Sequence, residues 1–205
     1  MANIFRRSNI ALAVLAFLAE APMHPYRMQQ LIKERGKDEI INVRQRASLY
    51  QTIQQLLRAK LIQVRETERE PKRPERTIYE LTVDGRATLD DWLRQMLSTP
   101  ASEFPEFPAA LAYLPLLSVE DATLQLQTRT QVLAAEHKRI DGQLREAAQS
   151  IPRLFLIETE YMLSMLATEL AWVNSLIHDL QTGKLTWSDA WKAESVAQQT
   201  YGEEK

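Results

Sequence analysis

Residues 47–59 read ASLYQTIQQLLRA, and with the two segments that follow they decide the fold of the front half of the chain. Their apolar side chains recur every three or four residues, which predicts a helix with one buried face. The segments 61–65 (LIQVR) and 77–81 (TIYEL) alternate apolar and polar residues, as half-buried strands do. The charged stretch 66–76 between them holds two prolines, so it predicts the tip of a hairpin.

Helices are also predicted on both sides of this segment. The first follows capping residues at 8–9, and the second opens at Pro25 and ends at Gly36. Tyr26 is assigned to the apolar face of the second helix, and Thr82 caps a helix behind the second strand. Three helices, a hairpin and a closing helix are the order of a winged helix-turn-helix.

The rear half predicts a separate helical domain. Three prolines within 99–108 mark a linker between a domain at 1–98 and one at 109–198, and residues 199–205 are expected to form a disordered tail. The second long helix of the rear domain carries an alternating three- and four-residue apolar spacing, which is typical of a coiled-coil seam. The fold class is therefore mainly α, with a two-stranded wing and a C-terminal helical dimerisation domain. The predicted dimer interface consists of Leu163, Leu166, Leu170, Val173, Ile177 and Leu180.

Charge is divided unevenly between the two halves. The 205 residues carry a net charge of −2. Residues 1–99 hold 17 Lys and Arg and 12 Asp and Glu, which gives a net charge of +5. Residues 100–205 hold 8 Lys and Arg and 15 Asp and Glu, which gives a net charge of −7. A basic module joined to an acidic one suits a protein that binds nucleic acid with its front half. Chance segregation of solvated charges is the alternative.

The polar face of the 47–59 helix matches the requirements of a DNA major groove, which admits one helix. Gln can pair with adenine and Arg with guanine or phosphate, and no acidic residue occurs between Ile40 and Val64. A solvated helix face is the alternative, and four glutamates near the hairpin tip would be repelled by DNA unless they project away. The predicted DNA contacts are Arg44, Arg46, Ser48, Tyr50, Gln51, Gln54, Arg58, Lys72, Arg73 and Arg76.

Several other classes of function are disfavoured. The chain has no cysteine, no Gly-rich phosphate loop and no nucleophile or zinc-protease motif, and its three histidines are scattered. We therefore expect no enzyme activity, no cofactor and no metal site. A signal peptide over residues 6–21 is an alternative to the first helix. Because the apolar run continues into the helix-turn-helix pattern, we favour a cytoplasmic protein without a membrane span.

The chain resembles the PadR-like transcriptional regulators, in the longer branch with a helical effector and dimer region. In the front half the resemblance lies in residues 11–15 (ALAVL), 24–26 (HPY), 48–50 (SLY) and 79–85 (YELTVDG), with Leu56, Leu61 and Ile62 around the third helix. In the rear half it lies in 109–117 (AALAYLPLL), 169–172 (ELAW) and 183–187 (GKLTW). It thus covers nearly the whole chain.

This resemblance implies a homodimer that binds an inverted repeat, usually represses, and is released by a small aromatic or drug-like ligand. Ser48 and Tyr50 align with DNA-contacting residues of the family, and Arg73 and Arg76 with basic wing residues. A winged-helix module for protein–protein contact, without DNA binding, is the alternative function. Aromatic residues of the rear half could line a ligand pocket, or could be core. The candidates are Tyr113, Tyr161, Trp172, His178 and Trp187.

Overall fold

The computed structural model describes residues 7–37, 40–41, 46–68, 76–101 and 104–188. It divides the chain into two compact units, Met1–Glu103 and Phe104–Lys205. We call the first the N-terminal unit and the second the helical unit.

The N-terminal unit is a winged helix-turn-helix, as predicted. Three helices come first, then a two-stranded antiparallel sheet, then a fourth helix. The elements are α1 (Asn9–Glu20), α2 (Pro25–Glu34), α3 (Arg46–Arg58), β1 (Ile62–Glu68), β2 (Arg76–Leu81) and α4 (Val83–Ser98).

Side-chain caps fix where three of these helices begin. Ser8 Oγ accepts a hydrogen bond from the backbone N–H of Ala11 at 3.2 Å, and His24 Nδ1 accepts one from Tyr26 at 3.0 Å. Thr82 Oγ1 accepts one from the N–H of Gly85 at 3.0 Å. Each cap satisfies a first-turn N–H that has no partner within its helix, so the starts could be read from the sequence.

The hairpin is anchored to the helices at its base. β1 pairs with β2 from Ile62 opposite Leu81 to Val64 opposite Tyr79, and the register shifts between Val64 and Glu66. Met23, between α1 and α2, exchanges two backbone hydrogen bonds with Tyr79, at 3.0 and 3.1 Å. The segment between the first two helices is therefore bridged to β2 at one residue, Met23, and the hairpin starts from a fixed position beside α3.

A single apolar core holds the N-terminal unit together. Its fully buried side chains come from α1, α2, α3 and β1 and include Leu15, Met28, Ile53, Leu56 and Ile62. Because α3 packs against α1 and β1 and shares one core with α2, its orientation relative to the hairpin is fixed by core packing rather than by surface contacts.

The helical unit is built on two long helices. It consists of α5 (Glu106–Ala112), α6 (Val119–Ala147) and α7 (Ile157–Gln181), with single 3-10 turns at Leu114–Leu116 and Arg153–Phe155. α6 packs against α7. Ser118 caps α6, because its Oγ accepts a hydrogen bond from the N–H of Asp121 at 3.1 Å.

The structure differs from the predicted linker at one end. α5 begins at Glu106, inside residues 99–108, because Pro108 falls in the first helical turn, where its missing N–H costs no hydrogen bond. A 3-10 turn precedes α7, which begins at Ile157. Residues 186–188 are irregular, and the predicted tail lies outside the described residues.

Half of the predicted leucine seam lies inside the chain's own core. Val173, Ile177 and Leu180 form a buried cluster with Leu126 of α6. Val173 has no exposed area in the single chain, so it could add nothing to the area buried between two protomers. These three residues are therefore corrected from dimer interface to core. Leu163, Leu166 and Leu170 are only half-buried.

Candidate nucleic-acid interface

The outer face of α3 is polar and open to solvent. Leu49, Ile53 and Leu56 are buried against the core. The opposite side exposes Tyr50, Gln51, Gln54 and Arg58. Steps of three and four residues place these four side chains on one face of the helix. Because the inner face is fixed, the outer face is presented as a rigid surface.

The other predicted contacts on and beside α3 are less exposed or lie outside the described residues. Ser48 is half-buried, and its carbonyl accepts a hydrogen bond from Thr52 Oγ1 at 2.8 Å, so it lies at the edge of the exposed face. The side chains of Arg46 and Arg76 are outside the described residues, although the backbones of both belong to elements. Arg44, Lys72 and Arg73 lie wholly outside them.

Tyr26 was assigned to the wrong side of α2. Met28, Leu31 and Ile32 are buried as expected, whereas Tyr26 is 55% exposed. Two residues along a helix correspond to about 200°, so Tyr26 and Met28 lie on opposite sides, and the sequence did carry this signal. In a helix-turn-helix the helix before the recognition helix crosses the DNA backbone. Tyr26 therefore joins the candidate interface.

The base of the hairpin lies beside α3 and carries a glutamate that contacts two side chains of β1. Gln63 Nε2 donates to Glu80 Oε1 at 2.6 Å, and Arg65 Nη1 lies 4.0 Å from the other oxygen of that carboxylate. Burial raises the pKa of Tyr79, a hydrogen bond with Thr77 opposes this, and the nearby Tyr50 raises it further. Tyr79 is therefore a neutral phenol at neutral pH, and its phenol lies near Tyr50 of α3.

Comparison with known proteins agrees with this geometry. Residues 14–91, which run from α1 into α4 and include α3 and the hairpin, match the transcriptional regulator PadR-like family. We call residues 14–91 the PadR-like domain, after the family whose model they match. None of the curated proteins matches the chain.

Solved structures share the fold of the PadR-like domain and of the helical unit that follows it in the sequence. Bacillus subtilis PadR in complex with operator DNA superposes with a TM-score of 0.67 at 18% identity, covering 86% of this chain and 99% of that one. The same protein in complex with p-coumaric acid superposes with a TM-score of 0.69 at 18% identity, and the match covers 84% of this chain and 98% of that one. The Vibrio cholerae virulence activator AphA superposes with a TM-score of 0.62 at 16% identity, and the match covers 85% of this chain and 99% of that one.

The helical unit does not gather the predicted ligand residues into one pocket. Tyr161 and Trp172 are both exposed on α7, but eleven residues separate them by about 16 Å along the helix axis. His178 is exposed on a different side of α7 from Trp172. Trp187 donates from Nε1 to the carbonyl of Leu117 at 2.9 Å, which ties the chain after α7 back to the start of α6. Tyr113 is exposed at the end of α5.

A charged and aromatic cluster around Trp172 was missed by sequence reasoning. The Arg129 guanidinium carbon lies 3.6 Å from the centroid of the Phe107 ring, and its Nε donates to Glu169 at 2.7 Å. Arg129 Nη2 donates to the same carboxylate oxygen. The Phe107 ring meets Trp172 edge-on, with centroids 6.2 Å apart. The cluster joins α5, α6 and α7 through contacts that span 22, 40 and 65 residues of sequence, distances at which no local spacing gives a signal.

Within the described residues, no group of acidic or histidine side chains is arranged to hold a metal ion. None of the described helices combines the length and the hydropathy that a membrane span requires.

Proposed function

We propose that this chain is a sequence-specific DNA-binding transcriptional regulator that inserts α3 into the major groove. The observation that carries the proposal is the two-sided character of α3. Its apolar side is buried in the core of the PadR-like domain, and its other side presents Tyr50, Gln51, Gln54 and Arg58 to solvent.

The exposed side chains of α3 are of the kinds that read DNA. The Gln54 amide can bond an adenine edge in a bidentate manner, and Arg58 can bond guanine or a phosphate. Tyr26 and Tyr50 carry hydroxyls that can donate to phosphate oxygens. We expect the predicted wing residues Lys72, Arg73 and Arg76 to contact the sugar-phosphate backbone. Bacillus subtilis PadR, which shares the fold, is known in complex with operator DNA.

The regulator acts as a homodimer on an inverted repeat. A two-fold pair of PadR-like domains would place two α3 helices on successive turns of the duplex. Most of the exposed large apolar side chains that the structure describes lie in the helical unit rather than in the PadR-like domain. Exposed apolar surface on this scale marks an interaction site, which favours association through the helical unit.

The regulator is a repressor that a small aromatic molecule releases from DNA. Bacillus subtilis PadR is also known in complex with p-coumaric acid. In this chain Trp172 is about half exposed beside Phe107 and Arg129. An exposed indole beside a second aromatic ring suits the stacking of an aromatic ligand. Tyr113, Tyr161, His178 and Trp187 stay candidates for contacts that a second protomer would complete.

Selection of bound duplexes from a random DNA pool tests the proposal. The wild-type protein should enrich one inverted repeat, and its affinity for that operator should fall steeply with salt, because Lys and Arg release counterions from phosphates. Gln54→Ala should lose about 1–3 kcal/mol of discrimination at one base position. Gln131→Ala removes an exposed glutamine from α6 and should leave binding unchanged. A wild-type protein without steep salt dependence or enrichment would instead be a protein-contact module.

A further inference from the structure

The first strand of the hairpin contains one residue more than its partner strand. Val64 lies opposite Tyr79 and Glu66 lies opposite Ile78, so Arg65 is an extra residue in the ladder. Such a β-bulge interrupts the regular alternation of side chains between the two faces of a strand. With regular pairing from Val64 onward, Glu66 would share a face with Tyr79. The bulge therefore decides on which face of the hairpin Glu66 lies.

The pairing divides the described part of the hairpin into two faces, because residues opposite each other lie on the same side of the sheet. The face that packs on the core at its base, which we call the inner face, consists of Ile62, Val64, Thr67, Thr77, Tyr79 and Leu81. Glu66 lies on the opposite, outer face with Gln63 and Glu80. Arg65 Nη1 lies 4.0 Å from the Glu80 carboxylate, so the bulge turns Arg65 to the outer face as well.

The inner face is free of carboxylates and rich in hydroxyls within the part of the hairpin that the structure describes. At the end away from the core, the exposed Thr67 lies opposite the half-buried Thr77. Tyr79 forms a hydrogen bond with Thr77 and lies near Tyr50 of α3. Uncharged hydroxyls therefore lead from the hairpin to the exposed face of α3.

We propose that the bulge at Arg65 is a positioning device for DNA binding: it keeps Glu66 away from the duplex and leaves the hydroxyls of Thr67 and Thr77 to contact the sugar-phosphate backbone. This inference rests on the proposed DNA binding and adds a contact surface to it. Hydroxyls donate hydrogen bonds to phosphate oxygens without carrying charge. Since the inner face adjoins α3 through Tyr79, a duplex that holds α3 in its groove lies on the inner side of the hairpin.

Electrostatic repulsion explains why the face of Glu66 matters. Exposed charges interact over about 10 Å at 0.1 M ionic strength, so a carboxylate on the inner face would repel the phosphates. On the outer face, the sheet lies between Glu66 and the duplex. Glutamates near the tip were the objection to DNA binding that the sequence raised, and for Glu66 the bulge removes it.

An exchange of residues 66 and 67 tests the inference at constant composition and net charge. The double variant Glu66→Thr/Thr67→Glu moves one carboxylate from the outer to the inner face, and its affinity for the selected operator should fall at least about tenfold near 0.1 M salt. The single variant Glu66→Thr is the matched control and should bind within about twofold of the wild type. Both positions are exposed, so both variants should keep the wild-type circular dichroism.

The hydroxyl contact has a separate measurement. Thr67→Val removes the hydroxyl and keeps the branched shape of the side chain. Its affinity for the operator and for a random duplex should fall by the same factor, because a phosphate contact carries no base information. A loss confined to the operator, or no loss, would contradict a phosphate contact by Thr67.

The wild-type protein separates the failure of this inference from that of the proposed function. An exchange variant that binds the operator as the wild type does, or a Glu66→Thr protein that binds it markedly more tightly, overturns the inference and leaves the proposed function intact. A wild-type protein that selects no DNA overturns the proposed function, and the inference with it.

Discussion

At the residue scale, Gly85 sets how closely α4 approaches the hairpin. A Cβ atom built on Gly85 would lie 1.9 Å from the carbonyl oxygen of Leu61, a backbone atom that cannot move away. Gly85→Ala should therefore lower the free energy of unfolding by at least about 2 kcal/mol. Gly142 lies within α6, and a Cβ atom built on it would have nothing within 4 Å. Gly142→Ala should therefore raise the free energy of unfolding by up to about 1 kcal/mol. Urea unfolding of both variants checks the opposite signs.

Lys60 is a second residue at which the backbone conformation determines how a substitution changes stability. It ends α3 with a φ of 57°, while the N–H of Leu61 bonds the carbonyl of Leu56 at 3.0 Å. A side chain in this left-handed conformation costs about 1–2 kcal/mol, which the charge of Lys60 at a helix C-terminus only partly offsets. Lys60→Gly should raise the midpoint of thermal unfolding. Gly36 has a φ of 61°, so Gly36→Lys is the converse change, and a stabilised Gly36→Lys protein would contradict the explanation.

At the scale of elements, Arg35 clamps the end of α1 to the end of α2. Its Nη1 and Nη2 donate to the two oxygens of Glu20 at 2.6 and 2.7 Å, and its guanidinium carbon lies 5.5 Å from the Phe17 ring centroid. Hydrogen bonding from Arg35 lowers the pKa of the Glu20 carboxyl below its ordinary value, although burial opposes the shift. The ion pair thus favours the ionised carboxylate in the folded state.

This depressed pKa predicts how the clamp depends on pH. The folded protein binds the proton less readily than the unfolded chain, so the clamp stabilises the fold above the ordinary carboxyl pKa of 4.5 and loses its effect as the pH falls through the folded value. Glu20→Gln should lose less stability than the wild type between pH 5 and pH 3. A double-mutant cycle with Arg35→Gln, measured at pH 7 and pH 3, should show weaker coupling at pH 3 than at pH 7.

At the scale of the whole molecule, a dimer ties DNA affinity to the spacing of the half-sites. Two recognition helices related by a two-fold axis engage half-sites about 10 base pairs apart, centre to centre. Adding about 5 base pairs between the halves of the selected operator turns one half-site to the far side of the duplex. Affinity should then fall toward that of a single half-site, as measured by titration at fixed salt. Unchanged affinity would mean that each PadR-like domain binds alone.

The sequence determined most of the local structure of this protein, because local structure depends on neighbouring residues. Ser8 and Thr82 cap helices where expected, and the apolar period of α3 identified its buried side correctly. The same period left Tyr50 and Gln54 on the exposed side. Local steric and hydrogen-bonding preferences act within four residues, so each of these features could be read directly along the chain.

Only the tertiary structure decided what each buried face packs against. The spacing of Val173, Ile177 and Leu180 suits a partner chain as well as it suits α6, and packing showed that α6 covers them. The contact of Arg129 with Glu169 spans 40 residues and has no local signal. The spacing of apolar residues indicates which side of a helix is buried. Which element packs against that side depends on how the whole chain folds.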